Sequence, residues 1–409
     1  MKSSFLYIIA EVLVRGIPFL TLPFFTAHLN KSEFGILSLY ISLLPLLSII
    51  FDLSQRASIR KFIYDYPMQI DSFVLSILIS IFSIFIFIAA IFNFFDIYFL
   101  KESKQAFILI NIFLYTVIEQ HLTKLQISKF VNTYNIFYLF RNGLPYLLAV
   151  AILFYSTKAS HNVLINAQAL IFSILAAFII LIYFNKKTLT KTIKHFKKYQ
   201  SYAFSIALPI LPAVASAYIL SVSDRYMIEY FHGYERVAEY SIAYTIAMIV
   251  QLLTLTVGKA WQPFIFENLK RKAFKIIIKY SFFYIGFIGL SCITVYIFSK
   301  PIFNYIADES YISALSCIPP LLGGMFFFSL YSLLSNIVFF YKKLILFVLP
   351  ATLAATLNIF LNLIFLPTHG YQIAAWTTFI SYFVEFLIIL AVLFYIKREG
   401  LYALDKKAN

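Results

Sequence analysis

The sequence predicts an all-α polytopic membrane protein with about twelve transmembrane helices, and two properties of the chain lead to that fold class. Hydrophobic residues make up 62% of the 409 residues and charged residues 12%, with a mean hydropathy of +0.86. A soluble domain carries about 45–50% apolar and about 25% charged residues. The apolar residues also form continuous runs instead of the ten-residue alternation of a membrane β-barrel, which favours helices over strands.

Each run is long enough to cross the hydrocarbon core of a bilayer, which takes about 20 residues. The predicted spans are 5–27, 35–55, 72–92, 104–122, 136–156, 163–184, 203–222, 240–258, 276–298, 314–339, 344–366 and 372–396. Glu11 and Arg15 interrupt the first run, so we expect a permanent helix there and not a cleavable signal peptide. No connecting loop exceeds about 20 residues, and we therefore expect no separate soluble domain.

The basic residues predict the orientation of these helices. With the N-terminus in the cytoplasm, 24 of the 33 Lys and Arg lie on the cytoplasmic side, 7 lie on the opposite side, and Arg15 and Arg141 lie within spans. The richer side is normally cytoplasmic, so both termini are expected there. The net charge of +15 then reflects topology and argues against nucleic-acid binding. The basic segment 185–201 is expected to lie against anionic lipid headgroups.

A weak internal repeat predicts two six-helix bundles of the same orientation. Residues 33–39 open the second predicted helix and resemble 236–242, which open the eighth, at an offset of 203 residues. Such parallel repeats are known in transporters. The expected organisation is an N-terminal bundle over 1–184, a basic cytoplasmic linker over 185–202, a C-terminal bundle over 203–396 and a cytoplasmic tail over 397–409.

Charged groups inside spans are costly and commonly functional, and Arg15 is one of them. It lies near the middle of the first span, with Glu11 four residues earlier on the same helical face and Pro18 one turn later. One interpretation is a Glu11–Arg15 pair that neutralises itself. The other is a cavity cation for an anionic substrate, partly balanced by Glu11.

Arg141 and Glu385 each allow two interpretations as well. Arg141 lies about five residues inside the fifth span, so it either extends to the headgroups or contributes a cation to a cavity. Glu385 lies near the middle of the last span. It is either a carboxyl group that takes up and releases a proton or an acceptor of a hydrogen bond from a neighbouring hydroxyl.

The seventh span carries a narrow polar face that ends at Asp224-Arg225. Its members are Ser205, Pro209, Pro212, Ser216 and Ser223. Such a face either packs against another helix or lines a water-filled path. Proline kinks supply the hinges that gating needs, which favours the path.

Motifs of soluble enzymes are missing from the sequence. It has no Gly-rich phosphate loop, HExxH, CxxC or Gly-x-Ser-x-Gly, and its six histidines lack metal-ligand spacing. Cys292 and Cys317 are interpreted as packing residues. We expect neither a metal nor another cofactor. Because the sequence has no ATP-binding motif, any energy has to come from an ion gradient or from the gradient of the substrate.

Several short motifs resemble the polysaccharide repeat-unit flippases of the Wzx type, in the multidrug/oligosaccharidyl-lipid/polysaccharide exporter superfamily. In the first half these are Pro18-Phe19-Leu20-Thr21-Leu22-Pro23 and Ala27-His28-Leu29-Asn30-Lys31-Ser32-Glu33-Phe34-Gly35. In the second half they are Leu208-Pro209-Ile210-Leu211-Pro212, Ser223-Asp224-Arg225, Ala238-Glu239-Tyr240-Ser241-Ile242-Ala243-Tyr244 and Trp261-Gln262-Pro263-Phe264-Ile265-Phe266-Glu267. The resemblance extends over the whole chain through the twelve spans.

The resemblance implies two bundles around a central cavity in the bacterial inner membrane. The cavity would carry an undecaprenyl-diphosphate-linked oligosaccharide to the periplasmic leaflet for O-antigen or capsular polysaccharide, with other polysaccharide-assembly membrane proteins as possible partners. Arg15 and Arg141 are candidates for contacting the diphosphate, with Glu11, Ser216, Asp224 and Arg225 nearby in the expected cavity. Pro18, Pro209 and Pro212 are the candidate hinges, and Glu385 is the candidate ion-coupling residue.

Two other functions remain open at this stage. One is a related multidrug or ion-coupled exporter, because the resemblance covers that superfamily. The other is a membrane oligosaccharide polymerase or ligase, but such enzymes usually carry a large external loop that this chain does not have.

Overall fold

A computed structural model shows an all-α protein. It describes residues 2–94, 103–155, 160–341 and 344–398, and within these ranges the side chains of 2–13, 15, 92–94, 103–105, 259–260 and 344 stay outside the description. The helices are α1 (Lys2–His28), α2 (Lys31–Asp52), α3 (Arg56–Asp65), α4 (Ile70–Phe94), α5 (Ser103–Ile127), α6 (Val131–Asn142), α7 (Leu144–Tyr155), α8 (Asn162–Tyr183), α9 (Lys186–His232), α10 (Tyr234–Lys270), α11 (Phe274–Ile297), α12 (Ser299–Ile306), α13 (Ile318–Phe340), α14 (Leu344–His369) and α15 (Ile373–Arg398). Short 3₁₀ segments cover Pro67–Gln69 and Glu309–Cys317. Within the described ranges there is no strand.

The predicted spans agree with the helices. Eleven segments of the described chain are long and apolar enough to cross a membrane, and they coincide with the second to twelfth predicted spans. The first predicted span, 5–27, falls in α1, where most side chains before Gly16 lie outside the description. The prediction of an all-α polytopic membrane protein is therefore confirmed.

The fifth span is divided into two helices instead of one. α6 ends at Asn142 and α7 begins at Leu144, with Gly143 between them. Pro145 has no N–H to donate to the carbonyl of Arg141, and a proline also disfavours helical geometry in the residue before it. The break therefore follows from the sequence Gly143-Leu144-Pro145, although the length of the apolar run hides it.

The second predicted span also ends earlier than expected. α2 stops at Asp52, and Leu53 and Ser54 both have positive φ, at 44° and 61°. The Asp52 carboxylate accepts a hydrogen bond from the backbone N–H of Ser54 at 2.8 Å. This tight turn changes the chain direction before α3 and brings Arg56 close to Asp52.

The chain forms two compact units, which we call the first and second unit. The first contains residues 1–29 and 40–215, and the second contains 30–39 and 216–409. The boundary at 215/216 falls within α9, because the basic segment expected as a linker is continuous with the helix that follows it. The two-bundle repeat expected from the sequence stays a prediction.

In the first unit the beginning of α9 is held against α4 by side-chain hydrogen bonds. Thr192 donates to the carbonyl of Ser72 at 3.0 Å, and Gln200 donates to the carbonyl of Ser76 at 2.9 Å. The buried residues of this stretch are Thr188, Thr192, Tyr199 and Ala203. Their spacings of four, seven and four residues put them on one face of the helix. This face is packed, whereas the lysines of the same stretch are exposed.

In the second unit the first turns of α2 pack on the beginning of α10. Gly35 lies so close to α10 that an added Cβ would be 2.0 Å from the carbonyl oxygen of Tyr234. Lys31 forms an ion pair of 2.9 Å with Glu239, which also accepts from Arg236. Glu239 is only 1% exposed, so this carboxylate depends on both cations for compensation.

Candidate functional site

Arg141 lies in a buried cluster of charges in the first unit. Its side chain is 8% exposed and pairs with Glu119 of α5. The guanidinium also lies over the ring of Tyr115, with 4.3 Å between Cζ and the ring centroid, which is a favourable cation–π geometry. Burial inside the unit disagrees with the interpretation of Arg141 as an arginine that extends to the headgroups.

Glu119 connects Arg141 to a second arginine. Its Oε1 pairs with Arg141, while its Oε2 accepts a hydrogen bond from Arg56 of α3. Arg56 Nε is 4.0 Å from Asp52, and Asp52 accepts from the amide of Gln120 at 3.0 Å. We call Asp52, Arg56, Glu119 and Arg141 the arginine–carboxylate cluster. Its two cations and two anions cancel formally, which makes burial affordable in a low-dielectric environment.

The cluster lies where α2 ends at Asp52 and α3 begins at Arg56, next to interior positions of α5 and α6. Glu119 is eight residues before the end of α5, or about 12 Å along the helix. Arg141 is ten residues after the start of α6, or about 15 Å. The two residues come to a similar level because α5 and α6 are joined by a short turn and pack against each other. Arg141 Nε has no hydrogen-bond partner in the described part of the chain.

A second polar cluster surrounds Asp224 in the second unit. The buried carboxylate accepts from the hydroxyl of Tyr240 at 2.6 Å, from the amide of Asn362 at 2.7 Å and from Thr378. Asn362 Nδ2 also lies 3.2 Å from Asn358 Oδ1. We call Asp224, Tyr240, Asn358, Asn362 and Thr378 the Asp224 cluster. Three elements besides α9 contribute to it, so it ties α10, α14 and α15 together.

The side chains of the Asp224 cluster mainly offer oxygen atoms as ligands. One carboxylate, two amide groups and two hydroxyls meet in a buried volume, a donor set of the kind that hard cations prefer over transition metals. Among the residues that the structure describes, no group of three or more His, Cys, Asp or Glu forms a metal site.

Arg225 and Ser216 have partners in the same unit. Arg225 lies over the ring of Tyr244 at 4.4 Å, and it donates to Ser241 at 3.3 Å. Ser216 donates to Thr352 of α14 at 3.1 Å. The polar face predicted for the seventh span therefore makes interhelical hydrogen bonds at Ser216 and at Asp224, while its role in a transport path stays a prediction.

Glu385 is the most isolated of the predicted residues. It is 2% exposed, and its Oε2 has no hydrogen-bond partner among the described residues. The hydroxyl of Ser381, one turn earlier, donates to the carbonyl of Thr377. One interpretation of Glu385 requires a hydroxyl partner, and none is found for Oε2 among the described residues. The other interpretation, proton binding, stays a prediction.

The remaining predicted residues lie in α1 and α9. The side chains of Glu11 and Arg15 lie outside the described residues. Pro18 is inside α1, and Pro209 and Pro212 are inside α9, which runs through both prolines without interruption. A proline removes one helical hydrogen bond at each position, and the hinge role of these prolines stays a prediction.

Sequence reasoning missed the partners of the predicted charges. Glu119 lies near the end of the fourth predicted span, and Asn358 and Asn362 lie in the eleventh, four residues apart. That spacing puts both amides on one helical face. A search for every polar residue within spans would have found them, because such residues are costly in a membrane unless they find partners.

The chain is similar to one protein family and to proteins of known sequence. The family described as polysaccharide biosynthesis protein matches residues 1–269. "Lsg locus putative protein 1" of Haemophilus influenzae is 23% identical over 369 residues, which cover 84% of this chain and 85% of that protein.

Solved structures show the same fold. The lipid II flippase MurJ in an inward closed conformation has a TM-score of 0.73 at 17% identity, with 95% of this chain and 87% of that chain covered. An inward-facing multidrug resistance transporter of the MATE family, in the MOP superfamily, has a TM-score of 0.70 at 14% identity, with 98% and 100% covered. At these identities the similarity establishes the fold.

Proposed function

The chain belongs to the polysaccharide biosynthesis protein family, and from this premise we propose that it is a flippase for an undecaprenyl-diphosphate-linked oligosaccharide repeat unit. It is a multi-pass membrane protein with the fold of MOP-superfamily transporters. The family match over residues 1–269 is the observation that carries the proposal. In this proposal the protein lies in the bacterial inner membrane with both termini in the cytoplasm and serves O-antigen or capsule assembly.

The proposed cargo explains why the spans contain so many polar groups. A sugar-bearing diphosphate cannot cross hydrocarbon unaided, because desolvation of ions and hydroxyls is expensive. A protein that exposes polar side chains first to one side and then to the other lowers that barrier without making or breaking a covalent bond. Alternating access of this kind is the proposed mechanism.

The proposed diphosphate contacts are Arg141 and Arg15. A guanidinium offers a planar fork of donors that matches phosphate oxygens, and Arg141 is already held in place by Glu119 and Tyr115. Glu11 would balance Arg15. Ser216, Asp224 and Arg225 would support the cargo path from the second unit, with Pro18, Pro209 and Pro212 as hinges and Glu385 as the proton-binding residue.

The test of this function is the position of the lipid-linked unit in a strain that lacks the protein. Such cells should still assemble the unit and accumulate it on the cytoplasmic leaflet, where a leaflet-specific sugar probe added to intact cells does not reach it. A strain that lacks the polymerase provides the control, because its units accumulate on the periplasmic leaflet. Accumulation outside in the deletion strain would instead support a polymerase or ligase.

A further inference from the structure

In the arginine–carboxylate cluster one carboxylate contacts two arginines, and of these three residues only Arg141 was predicted from the sequence. Glu119 holds two arginines with one carboxylate, because Oε1 pairs with Arg141 and Oε2 accepts from Arg56. These residues belong to α5, α6 and α3. Two other elements, α3 and α6, therefore converge on the single anionic group of α5, which defines an oxyanion position between two guanidinium groups.

We propose that Glu119 is an internal substitute for phosphate: it occupies the position between Arg56 and Arg141 that phosphate oxygens of the cargo take during transport. The inference rests on the proposed function and adds Arg56 and Glu119 to it. A carboxylate and a phosphate both offer two oxygens to the fork of an arginine. One can replace the other without rearrangement of the two cations.

The substitution has a physical reason. Without an anion between them, the buried Arg141 and the half-buried Arg56 would repel each other, and Arg141 would lose its charged partner, which destabilises a protein. Glu119 provides that anion while no cargo is bound. When cargo binds, its phosphate takes the place of the Glu119 carboxylate. The two arginines therefore have an anionic partner both before and after binding.

The proposal requires Glu119 to leave its position between the two arginines when cargo binds. The side chains of Arg56 and Glu119 are 22% and 16% exposed, so neither is fully enclosed by the first unit. Each arginine also has a second partner besides Glu119, because Asp52 lies 4.0 Å from Arg56 and the ring of Tyr115 lies under Arg141. Arg141 Nε, which has no partner among the described groups, adds a further donor for phosphate.

The competing interpretation is a permanent ion network that only stabilises the first unit. The two interpretations differ in what happens to ligand affinity when Glu119 loses its charge. If Glu119 competes with phosphate, removal of its charge makes the two arginines more available to phosphate. A purely structural carboxylate leaves the affinity unchanged or, if the arginines become disordered, weakens it.

The experiment measures binding of undecaprenyl diphosphate to the full chain in lipid nanodiscs. E119Q should bind about tenfold more tightly than the unsubstituted protein, which corresponds to about 1.4 kcal/mol. Undecaprenol, which has the same hydrocarbon chain and no phosphate, should bind equally to both. Inorganic pyrophosphate should compete for the site and gain affinity in E119Q by a similar factor, because the headgroup provides the contact.

The matched control is E239Q in the second unit. Glu239 also bridges two cations, Lys31 and Arg236, so the same chemical change is made outside the proposed site. Affinity for undecaprenyl diphosphate should not change in E239Q. A gain of affinity in E239Q equal to that in E119Q would overturn the assignment, because the effect would then follow from net charge alone.

The outcomes separate this inference from the proposed function. If the unsubstituted protein binds undecaprenyl diphosphate and E119Q binds it no more tightly, the inference about Glu119 fails and the flippase proposal stands. If the unsubstituted protein binds neither undecaprenyl diphosphate nor pyrophosphate, both fail. E119D keeps the charge on a side chain one methylene shorter, and it replaces E119Q if that variant does not fold. E119D should show a smaller gain, and an affinity equal to that of the unsubstituted protein would also overturn the inference.

Discussion

At the scale of single residues, the buried charged side chains differ in whether they have a partner. Arg141, Asp224 and Glu239 are all buried, and each has at least one charged or hydrogen-bonding partner on another helix or another turn. Glu385 differs, because its Oε2 is buried without a hydrogen-bond partner in the described structure. A buried carboxyl oxygen without a partner is costly, which makes this position the best candidate for a proton taken up and released during transport.

The first residue-scale prediction concerns Glu385. If it binds the coupling proton, E385Q keeps the shape of the side chain but cannot exchange the proton. Transport by E385Q, measured in proteoliposomes with a fluorescent lipid-linked sugar, should then lose its stimulation by an imposed proton gradient. S381A, one turn earlier on α15, is the control and should keep the stimulation. An unchanged response of E385Q to the gradient would remove this residue from the coupling mechanism.

The second residue-scale prediction concerns Gly35. An added Cβ would be 2.0 Å from the carbonyl oxygen of Tyr234, a contact that only a backbone shift between α2 and α10 can relieve. G35A should destabilise the protein by about 1–3 kcal/mol, the usual cost of overpacking, with a lower midpoint of thermal unfolding in detergent. The matched control is G286A in the interior of α11, where nothing lies within 4 Å of an added Cβ.

In G286A the only expected effect is the better helix propensity of alanine, which is worth about 0.5–1 kcal/mol of stabilisation. The two substitutions should therefore move the midpoint in opposite directions. Equal midpoints for G35A and the unsubstituted protein would mean that α2 does not approach α10 this closely in the membrane.

At the scale of elements, α9 is the helix that joins a basic segment directly to a predicted span. Its 47 residues correspond to about 70 Å, more than twice the hydrocarbon thickness of a bilayer. It begins with the basic segment and continues through the seventh predicted span. One helix therefore extends from a region rich in lysine into the membrane, and its orientation decides that of the whole chain.

The element-scale prediction tests this orientation with single cysteines at Lys194 and Glu235. Both positions are exposed, so burial does not limit their reaction. The charge asymmetry places residue 194 in the cytoplasm, and residue 235 follows the end of α9 on the other side. An impermeant thiol reagent added to intact cells should label the cysteine at 235 and leave the one at 194 unlabelled.

For this test Cys292 and Cys317 are replaced by alanine to remove background. Permeabilised cells supply the positive control, in which the cysteine at 194 should also react. Labelling at 194 in intact cells would reverse the predicted orientation of every span.

At the scale of the whole molecule, the division into two units does not follow the middle of the sequence. Residues 30–39 belong to the second unit although the rest of the first 215 residues belongs to the first. Lys31, Phe34 and Gly35 explain this, because they contact Glu239, Tyr311 and Tyr234. α2 therefore belongs to both units, through its first turns to one and through its remaining turns to the other.

The sequence by itself determined which segments cross the membrane. Hydrophobic length is a local property, so eleven of the twelve predicted spans coincide with apolar helices of the described chain. It also singled out Arg141 and Glu385, because a charge inside an apolar run is visible without any knowledge of its neighbours, and Asp224, because it follows directly after the seventh run and its polar face.

Only the tertiary structure decided which groups these charges meet. Glu119 lies 22 residues from Arg141 and 63 from Arg56 along the chain, and Asp224 lies 138 residues from Asn362. Hydropathy does not encode such pairs, because they depend on which helices become neighbours and on how each helix is rotated about its axis. The attachment of residues 30–39 to the second unit is likewise a consequence of packing, whereas the break at Gly143 is local and follows from Pro145.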